Sequence, residues 1–217
     1  MDFENKNKSD RIGETAFAYG EQEKGGYTLK DYYALPEERR VELIDGVFYD
    51  MSAPASANQI AVFEIAIALR SYIKGKKGNC VTLISPVNVQ LDCDEDTMVQ
   101  PDIVIVCDRN KILNRCIYGA PDFIVEVLSS STRWKDATLK LAKYRTAGVR
   151  EYWMVDLERK KVIVYEFFKQ ENPVIYGMEE KVSVEIFDGE CRIDFAEVYE
   201  EVRFLMEETE KGQEYAR

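Results

Sequence analysis

The sequence contains no histidine among its 217 residues. A Ser-His-Asp triad, an HExxH zinc site, a two-histidine-one-carboxylate iron site and an imidazole general base all need that ring as a ligand or proton carrier. The absence of histidine therefore excludes these classes of active site. Any chemistry must therefore rely on carboxylates, lysines, tyrosines or cysteines.

Long apolar runs are also missing. The run at 60–69 is interrupted by Glu64, and the run at 103–107 has only five residues, whereas a membrane-spanning helix needs about 20. The N-terminal residues MDFENKNKSD are polar and lack the apolar centre of a secretory signal. We therefore expect no membrane helix and a cytoplasmic protein.

The sequence has no CxxC pair, and its five cysteines are an odd number. Both observations argue against a disulfide framework and against a structural zinc site. Because three of the cysteines lie in or beside apolar stretches, we predict reduced, partly buried thiols.

Basic residues are fewer than acidic ones, with 29 Lys+Arg against 40 Asp+Glu and a net charge of −11. Residues 133–161 reverse this balance with nine basic and four acidic side chains. A chain with this net negative charge is expected to bind polyanions poorly overall, because neutralisation of phosphates by basic side chains drives such binding. One basic face could still bind nucleic acid, but the same lysines and arginines could equally be a solvated helix surface.

The chain is long enough for one domain with appendages, and 46% of its residues are apolar. Residues 1–26 lack apolar periodicity and are expected to form a flexible N-terminal arm. We place the main domain at 27–170. The remainder, 171–217, is an acidic extension whose strands and final helix are expected to pack on the same domain.

Local patterns predict the elements of the main domain. Asp45-Gly46 lies between apolar flanks, which is the strongest short-range signal of a hairpin. Apolar residues at helical spacing predict a long helix at 55–74, and a second helix is predicted at 135–147, closed by Gly148. Strands are predicted at 80–91, 99–107, 122–128, 151–155 and 162–168.

Two carboxylates lie inside these apolar strands. Asp102 precedes the run Ile-Val-Ile-Val, and Glu126 lies within Phe-Ile-Val-Glu-Val-Leu. Each could point to solvent, or could enter a site that compensates its charge. Because the two strands are followed by a lysine-bearing helix, the combination indicates a site for Mg²⁺ or Mn²⁺, which prefer oxygen ligands and activate water.

The motifs around these residues resemble the Uma-two (Uma2) family of restriction-endonuclease-like proteins in the PD-(D/E)XK nuclease superfamily. The resemblance runs from about Tyr27 to Phe168. It rests on the order and spacing of Glu42-Leu43-Ile44-Asp45-Gly46, Pro101-Asp102, Glu126-Val127-Leu128-Ser129, Asp136-xxx-Lys140-xxx-Tyr144 and Ala147-Gly148-Val149-Arg150-Glu151-Tyr152-Trp153. It implies an α/β (α+β) fold with a restriction-endonuclease-like core, in which helices flank a mixed β-sheet in αβββαβ order. The hairpin precedes this core, and the C-terminal strands and helix follow it.

The resemblance also implies roles for single residues. Asp102, Glu126 and Glu42 would be metal ligands, and Lys140 would be the catalytic lysine. The chain departs from the usual E-x-K motif because Leu128 stands in place of the lysine. Lys140 lies instead in the next predicted helix, where it shares one face with Asp136, Lys143 and Tyr144.

A second departure is Asn58, where relatives often have histidine. Activity that depended on that ring would be lost here.

The sequence therefore leads to a first hypothesis, a Mg²⁺- or Mn²⁺-dependent endonuclease that hydrolyses DNA. In it Asp102, Glu126 and Glu42 hold the ion, and Lys140 holds or deprotonates the attacking water. The resemblance also implies a homodimer, because dimers are common in this superfamily and cleavage of two strands needs two sites. The alternative is a catalytically inactive nuclease-fold module that binds nucleic acid or protein. A third reading, an enzyme acting on a small phosphorylated molecule, also stays open.

Overall fold

The computed structural model describes residues 25–36, 38–91, 94–170 and 172–215, with side chains as far as residue 208. Almost all of the arm predicted at 1–26 lies outside these ranges. Within them, none of the helices is long and apolar enough to cross a membrane. The helices and strands, in chain order, are α1 (Leu29–Tyr33), β1 (Val41–Ile44), β2 (Val47–Asp50), α2 (Ser56–Gly75), β3 (Val81–Ile84), β4 (Val89–Gln90), β5 (Ile103–Val106), β6 (Ile117–Tyr118), β7 (Phe123–Val127), α3 (Arg133–Lys135), a π-helical turn (Asp136–Lys140), α4 (Leu141–Ala147), β8 (Glu151–Asp156), β9 (Lys161–Glu166), β10 (Val174–Gly177), β11 (Lys181–Val184), β12 (Cys191–Asp194) and α5 (Phe195–Tyr215).

A six-stranded mixed sheet forms the centre, in the order β10-β9-β8-β7-β5-β3. Neighbouring strands are antiparallel except for β7 and β8, which are parallel. A parallel pair needs a crossover connection, and the segment from α3 to α4 supplies it. The order α2, β3, β5, β7, helix, β8 is the αβββαβ order expected from the sequence, so the predicted fold class is confirmed.

The predicted hairpin is present as β1 and β2, which pair antiparallel. Asp45 and Gly46 join them with φ angles of 50° and 73°. Two successive residues in the left-handed region form the tight turn whose twist matches that of the strands, and Asp-Gly favours it. The predicted end of the second helix is also present, since Gly148 follows α4 with φ 93°.

Alternate residues of the central strands face opposite sides of the sheet. On one side, Val125 and Trp153 belong to a core completed by α2, α5 and β11–β12. On the other side, Ile124 and Met154 pack with Tyr144 of α4. This alternation decides which side each acidic residue of the sheet faces.

Several element bounds differ from the predicted ones. The predicted strand at 80–91 is two strands, β3 and β4, separated by the cis peptide Ser85-Pro86. The predicted strand at 99–107 is shortened to β5. The predicted helix at 135–147 begins earlier, at Arg133, and contains the π-helical turn. The strands β6 and β10 were not predicted.

The expectation of reduced cysteines was wrong for Cys80 and Cys107, which form a disulfide. The two residues are 27 positions apart in the sequence. Pairing of Val81 with Val106 in β3 and β5 brings the next two residues outward, Cys80 and Cys107, opposite each other. Cysteine counting could not reveal this, since strand register decides it. Cys116 and Cys191 are buried free thiols.

The C-terminal residues pack against the main sheet. Val182, Val184, Ile193, Phe195 and Val202 are buried in the same core as α2 and β8. Phe195, the first residue of α5, contacts the ring of Trp153 at a centroid distance of 5.9 Å. The acidic extension therefore closes one face of the sheet.

Candidate active site

The side of the sheet that faces α4 holds a cluster of charged side chains centred on the ammonium group of Lys140. Its Nζ lies 2.7 Å from Oε1 of Glu42 and 2.8 Å from Oε1 of Glu126. The Lys140 side chain is only 3% exposed, Glu42 is fully buried and Glu126 is 5% exposed. Buried charges persist in proteins when they are paired, and here one lysine pairs with two carboxylates.

Glu126 reaches the cluster because of its place in β7. All five residues of this strand are buried, and Glu126 lies opposite Met154 of β8. Its neighbours Val125 and Val127 face the opposite core, so the pleat directs Glu126 towards α4. There the hydroxyl of Tyr144 donates a hydrogen bond of 2.7 Å to Glu126 Oε1.

Glu42 lies in β1, whose four residues are all buried. Its two oxygens are fully used. The backbone N–H of Gln100 donates to Oε1 at 3.0 Å, and Lys135 Nζ lies 2.5 Å from Oε2. Lys135 is 12% exposed and its ammonium group lies 5.7 Å from the centre of the Tyr49 ring. Glu42 therefore joins the hairpin to the helix that carries both lysines.

The π-helical turn delivers Asp136 and Lys140 to the same place. Both side chains are buried, and Asp136 Oδ1 lies 3.4 Å from Lys140 Nζ. The hydroxyl of Tyr152 donates to the backbone carbonyl of Asp136 at 3.2 Å, which fixes the start of the turn. Single π-helical turns within α-helices are rare and occur frequently at functional sites.

Asp102 lies at the edge of the cluster, just before β5. Its Oδ2 accepts a hydrogen bond of 2.8 Å from the backbone N–H of Val127, the residue after Glu126. The residue is partly exposed, so it marks the side from which solvent reaches the cluster. Its charge interacts with those of Lys140, Asp136 and Glu42.

Burial is the largest influence on the pKa values of Glu42, Asp102 and Glu126. Burial, reinforced by the neighbouring carboxylates, raises the pKa of Glu126 to about 8 and that of Asp102 to about 6. Burial also acts to raise the pKa of Glu42, but Lys140 and Lys135 outweigh it and hold that pKa below its usual value.

For Lys140 the balance has the opposite sign. Burial acts to lower its pKa, but Glu126, Glu42 and Asp136 raise it well above the usual value for lysine. Lys140 is therefore protonated at neutral pH, as a fixed positive charge with N–H groups to donate.

Of the residues singled out from the sequence, Glu42, Glu126 and Lys140 are brought into direct contact, and Asp102 is placed beside them. Asp136 and Tyr144, predicted on one helix face with Lys140, also join the cluster. Lys143, predicted on that face, instead pairs with Asp45 of the hairpin turn at 2.6 Å.

Sequence reasoning missed Lys135 and Gln100. Lys135 gave no signal of its own because it was one of nine basic residues in its region. The contribution of Gln100 comes from its backbone N–H, which no side-chain pattern reveals.

Asn58, which replaces the expected histidine, lies near the end of β7. Its side-chain amide donates to the carbonyls of Val127 and Leu128 at 3.2 and 3.3 Å. It thereby ties α2 to the strand that carries Glu126. Leu128 is itself buried, so the position where the usual motif has lysine belongs to the apolar core.

The donor chemistry of the cluster suits a divalent cation. Four carboxylates meet here, Oδ1 of buried Asp136 has no hydrogen-bond partner in the described part of the chain, and hard cations such as Mg²⁺ prefer oxygen ligands. Among the described residues, no group of three or more acidic or cysteine side chains is positioned to hold a metal ion. In this arrangement the ammonium group of Lys140 lies between the carboxylates of Glu42 and Glu126.

Two comparisons relate this chain to known proteins, and a third finds no match. A family model described as "Uma2: Putative restriction endonuclease" matches residues 29–195. Among solved structures, the chain is similar to "a putative nuclease belonging to DUF820 from Anabaena variabilis ATCC 29413", with 20% sequence identity and a TM-score of 0.68. The match covers 81% of this chain and 98% of that one. No curated protein matches the chain.

Proposed function

This chain belongs to the Uma2 family, and we propose that it is a nuclease that hydrolyses phosphodiester bonds of DNA with Mg²⁺ or Mn²⁺. The observation that carries the proposal is the buried cluster of Glu42, Asp102, Glu126 and Asp136 around Lys140. A protein gains no stability from gathering four carboxylates out of water, so the arrangement is best understood as the requirement of a chemical task.

Asp102, Glu126 and Glu42 are the residues proposed to hold the ion. A divalent cation bound there would polarise the scissile phosphodiester and lower the pKa of water. We propose that substrate approaches beside the partly exposed Asp102, with the buried carboxylates behind it. The deeper residues are thereby shielded from competing hydrogen bonds with solvent.

The proposed role of Lys140 is to orient the attacking water and to donate hydrogen bonds. Its carboxylate neighbours raise its pKa well above the usual value. A lysine that holds its proton so firmly is a poor general base but a good fixed donor. Of the two roles considered from the sequence, the geometry therefore supports holding the water.

DNA is proposed as the substrate because the family is described as restriction endonucleases. The segment at 133–161, which includes the helix that carries Lys135 and Lys140, has nine basic and four acidic side chains. We also propose a homodimer, since cleavage of both strands of a duplex needs two sites.

The test is a cleavage assay on supercoiled, linear and single-stranded DNA with Mn²⁺, using the full chain and the variants Asp102→Asn and Glu126→Gln. We expect cleavage by the wild type and a loss of about a hundredfold or more in each variant, because each removes a carboxyl group proposed to hold the ion. Exposed Glu201→Gln in α5 is the matched control and should cleave as the wild type does.

Cleavage that persists in both variants would overturn the assignment of the site. DNA binding without cleavage, undiminished in Asp102→Asn and Glu126→Gln, would favour the binding module instead. Hydrolysis of nucleotides with none of polymers would favour a small phosphorylated substrate.

A further inference from the structure

Trp134 lies in α3 and is 50% exposed, although it is one of only two tryptophans in the chain. The other, Trp153, is completely buried and donates its indole N–H to Glu151. An aromatic ring of this size gains free energy when it leaves water. The packing of the fold therefore accounts for Trp153 and leaves the exposed ring of Trp134 without a role.

The backbone around Trp134 is held on both sides. The guanidinium group of Arg133 pairs with a carboxylate at the end of β8 at 2.9 Å, and the ammonium group of Lys135 pairs with Glu42. The hydroxyl of Thr138 donates to the backbone carbonyl of Trp134 at 2.6 Å. The exposed ring therefore belongs to a fixed segment, so its placement costs little ordering when a ligand binds.

The ring lies beside the candidate active site. Lys135, the next residue, reaches Glu42, and Asp136 begins the π-helical turn that brings Lys140 into the cluster. The inner side of this segment thus forms the cluster, and the exposed Trp134 lies on its outer side. Because consecutive Cα atoms are only about 3.8 Å apart, a strand whose phosphate lies at the cluster has a neighbouring base within reach of the ring.

The residues that lead from the cluster to Trp134 carry hydroxyl groups. Positions 129–132 read Ser-Ser-Ser-Thr and follow β7, the strand of Glu126. Ser130 and Ser131 are exposed. Hydroxyl side chains commonly donate to phosphate oxygens, and aromatic rings stack on bases. Exposed hydroxyls followed by an exposed ring match the phosphates and bases of a nucleic-acid strand better than they match the apolar centre of a protein interface.

We propose that Trp134 is the surface on which an unpaired base of the substrate stacks, next to the phosphodiester at the cluster. This inference rests on the proposed function, because it names the form of nucleic acid that the site takes. Inside a duplex both faces of each base are covered by its neighbours, so a base face is open to a protein ring only where the base is unpaired. The substrate is therefore a single strand, or an unpaired stretch within a duplex.

The experiment is a fluorescence titration of the full chain with a short oligothymidylate and with a hairpin duplex of the same length, in EDTA so that binding is measured apart from cleavage. Because Trp153 is buried, quenching of the indole emission by a stacked base reports on Trp134. Anisotropy of labelled oligonucleotides gives the affinities of Trp134→Ala and Trp134→Phe. Phe204→Ala in α5, which removes a ring that is 58% exposed, is the matched control.

We expect the oligothymidylate to quench the wild type, and to leave the emission of Trp134→Phe unchanged because its remaining indole is buried. Trp134→Ala should bind the oligothymidylate about tenfold more weakly, and Trp134→Phe should lose less because it keeps a ring. Duplex affinity should be the same in all three proteins. The melting temperature of Trp134→Ala should equal that of the wild type, and Phe204→Ala should bind as the wild type does.

Equal affinity of Trp134→Ala and the wild type for the oligothymidylate would overturn this inference, and the cleavage assay would still decide the proposed function. A lower melting temperature of Trp134→Ala, or an equal loss of duplex binding, would also overturn it. So would a wild-type dimer that Trp134→Ala converts to a monomer, because the ring would then belong to a protein interface. Quenching by the oligothymidylate without cleavage of any DNA would support the inference and overturn the nuclease. A wild type that binds no DNA would overturn both.

Discussion

The two faces of the central sheet each bury a glutamate, and they treat it differently. Glu126 of β7 faces α4, where Lys140, Tyr144 and further carboxylates surround it. Glu151 of β8 is 1% exposed on the other face. Its Oε1 accepts the indole N–H of Trp153 at 2.7 Å, and its Oε2 accepts the backbone N–H of Ile186 at 2.9 Å.

The two glutamates differ in their hydrogen-bond partners. Glu151 has a donor for each oxygen and joins the sheet to the C-terminal extension, so a structural role accounts for it. Around Glu126 the donor Lys140 is shared with Glu42 and Asp136, and Asp136 Oδ1 accepts no hydrogen bond from the described residues. Burial in an apolar strand is common to both glutamates. What differs is that Glu126 shares its donor with other carboxylates.

Replacement of Lys140, whose ammonium group lies at the centre of the cluster, should have the largest effect on stability. Lys140→Met leaves the carboxylates of Glu42, Glu126 and Asp136 without their common partner. We expect a loss of about 3–5 kcal/mol in the free energy of unfolding at neutral pH, measured by urea denaturation. We also expect no nuclease activity.

The exposed variant Lys74→Met in α2 is the control and should lose less than about 0.5 kcal/mol. If Lys140→Met were as stable as the wild type, the cluster would not depend on the lysine for charge compensation.

The pH dependence of the unfolding free energy should report on the buried carboxyl group of Glu151. Burial raises its pKa from 4.5 to about 7, against the lowering effect of its hydrogen bonds to Ile186 and Trp153. The folded chain therefore holds this proton more tightly than the unfolded chain, so the stabilisation is complete below pH 4.5 and is lost as the pH rises through about 7.

From pH 4.5 to above pH 7, the wild type should lose roughly 3 kcal/mol of unfolding free energy relative to Glu151→Gln. Chemical denaturation of both proteins across this range measures the difference. Exposed Glu201→Gln should follow the wild type. A constant difference between wild type and Glu151→Gln would show that Glu151 does not titrate here.

The smallest expected effect comes from one hydroxyl group. Tyr144→Phe removes the donor to Glu126 Oε1 but keeps the ring, whose centroid lies 4.9 Å from that of Tyr152. We expect a loss of about 1–2 kcal/mol in unfolding free energy and lower nuclease activity, since Glu126 loses part of its orientation.

Tyr152→Phe is the matched control, because its hydroxyl donates to a backbone carbonyl rather than to a carboxylate. It should lose similar stability and keep more activity. Equal activity in the two variants would show that Tyr144 does not orient Glu126.

Local patterns were enough to predict the hairpin, the long helix, the Gly148 terminus and the αβββαβ order, because each depends on residues close in sequence. Glu42, Asp102, Glu126 and Lys140 could be named from their motifs, and the structure brings them together. The fold and the family are shown, whereas the roles of these residues stay predictions.

Other features depend on long-range geometry that no local pattern carries. The Cys80–Cys107 disulfide follows from the register of β3 and β5. The π-helical turn could not be predicted, because the sequence at 136–140 has the pattern of an ordinary helix. Glu151 lies in an apolar strand as Glu126 does, and only their surroundings in space separate them.

Placing the lysine on a helix rather than on β7 affects how the cluster can come apart. The segment from Arg133 to Ala147 is joined to the sheet side by the ion pairs of Lys135 and Lys140 and by the hydroxyl of Tyr144. Parts of a folded chain open locally at free energies up to that of global unfolding. Opening of this one segment would remove both lysines while the strand carboxylates stayed in place. Native-state hydrogen exchange of its amides therefore reports on the assembly of the site, separately from the stability of the whole fold.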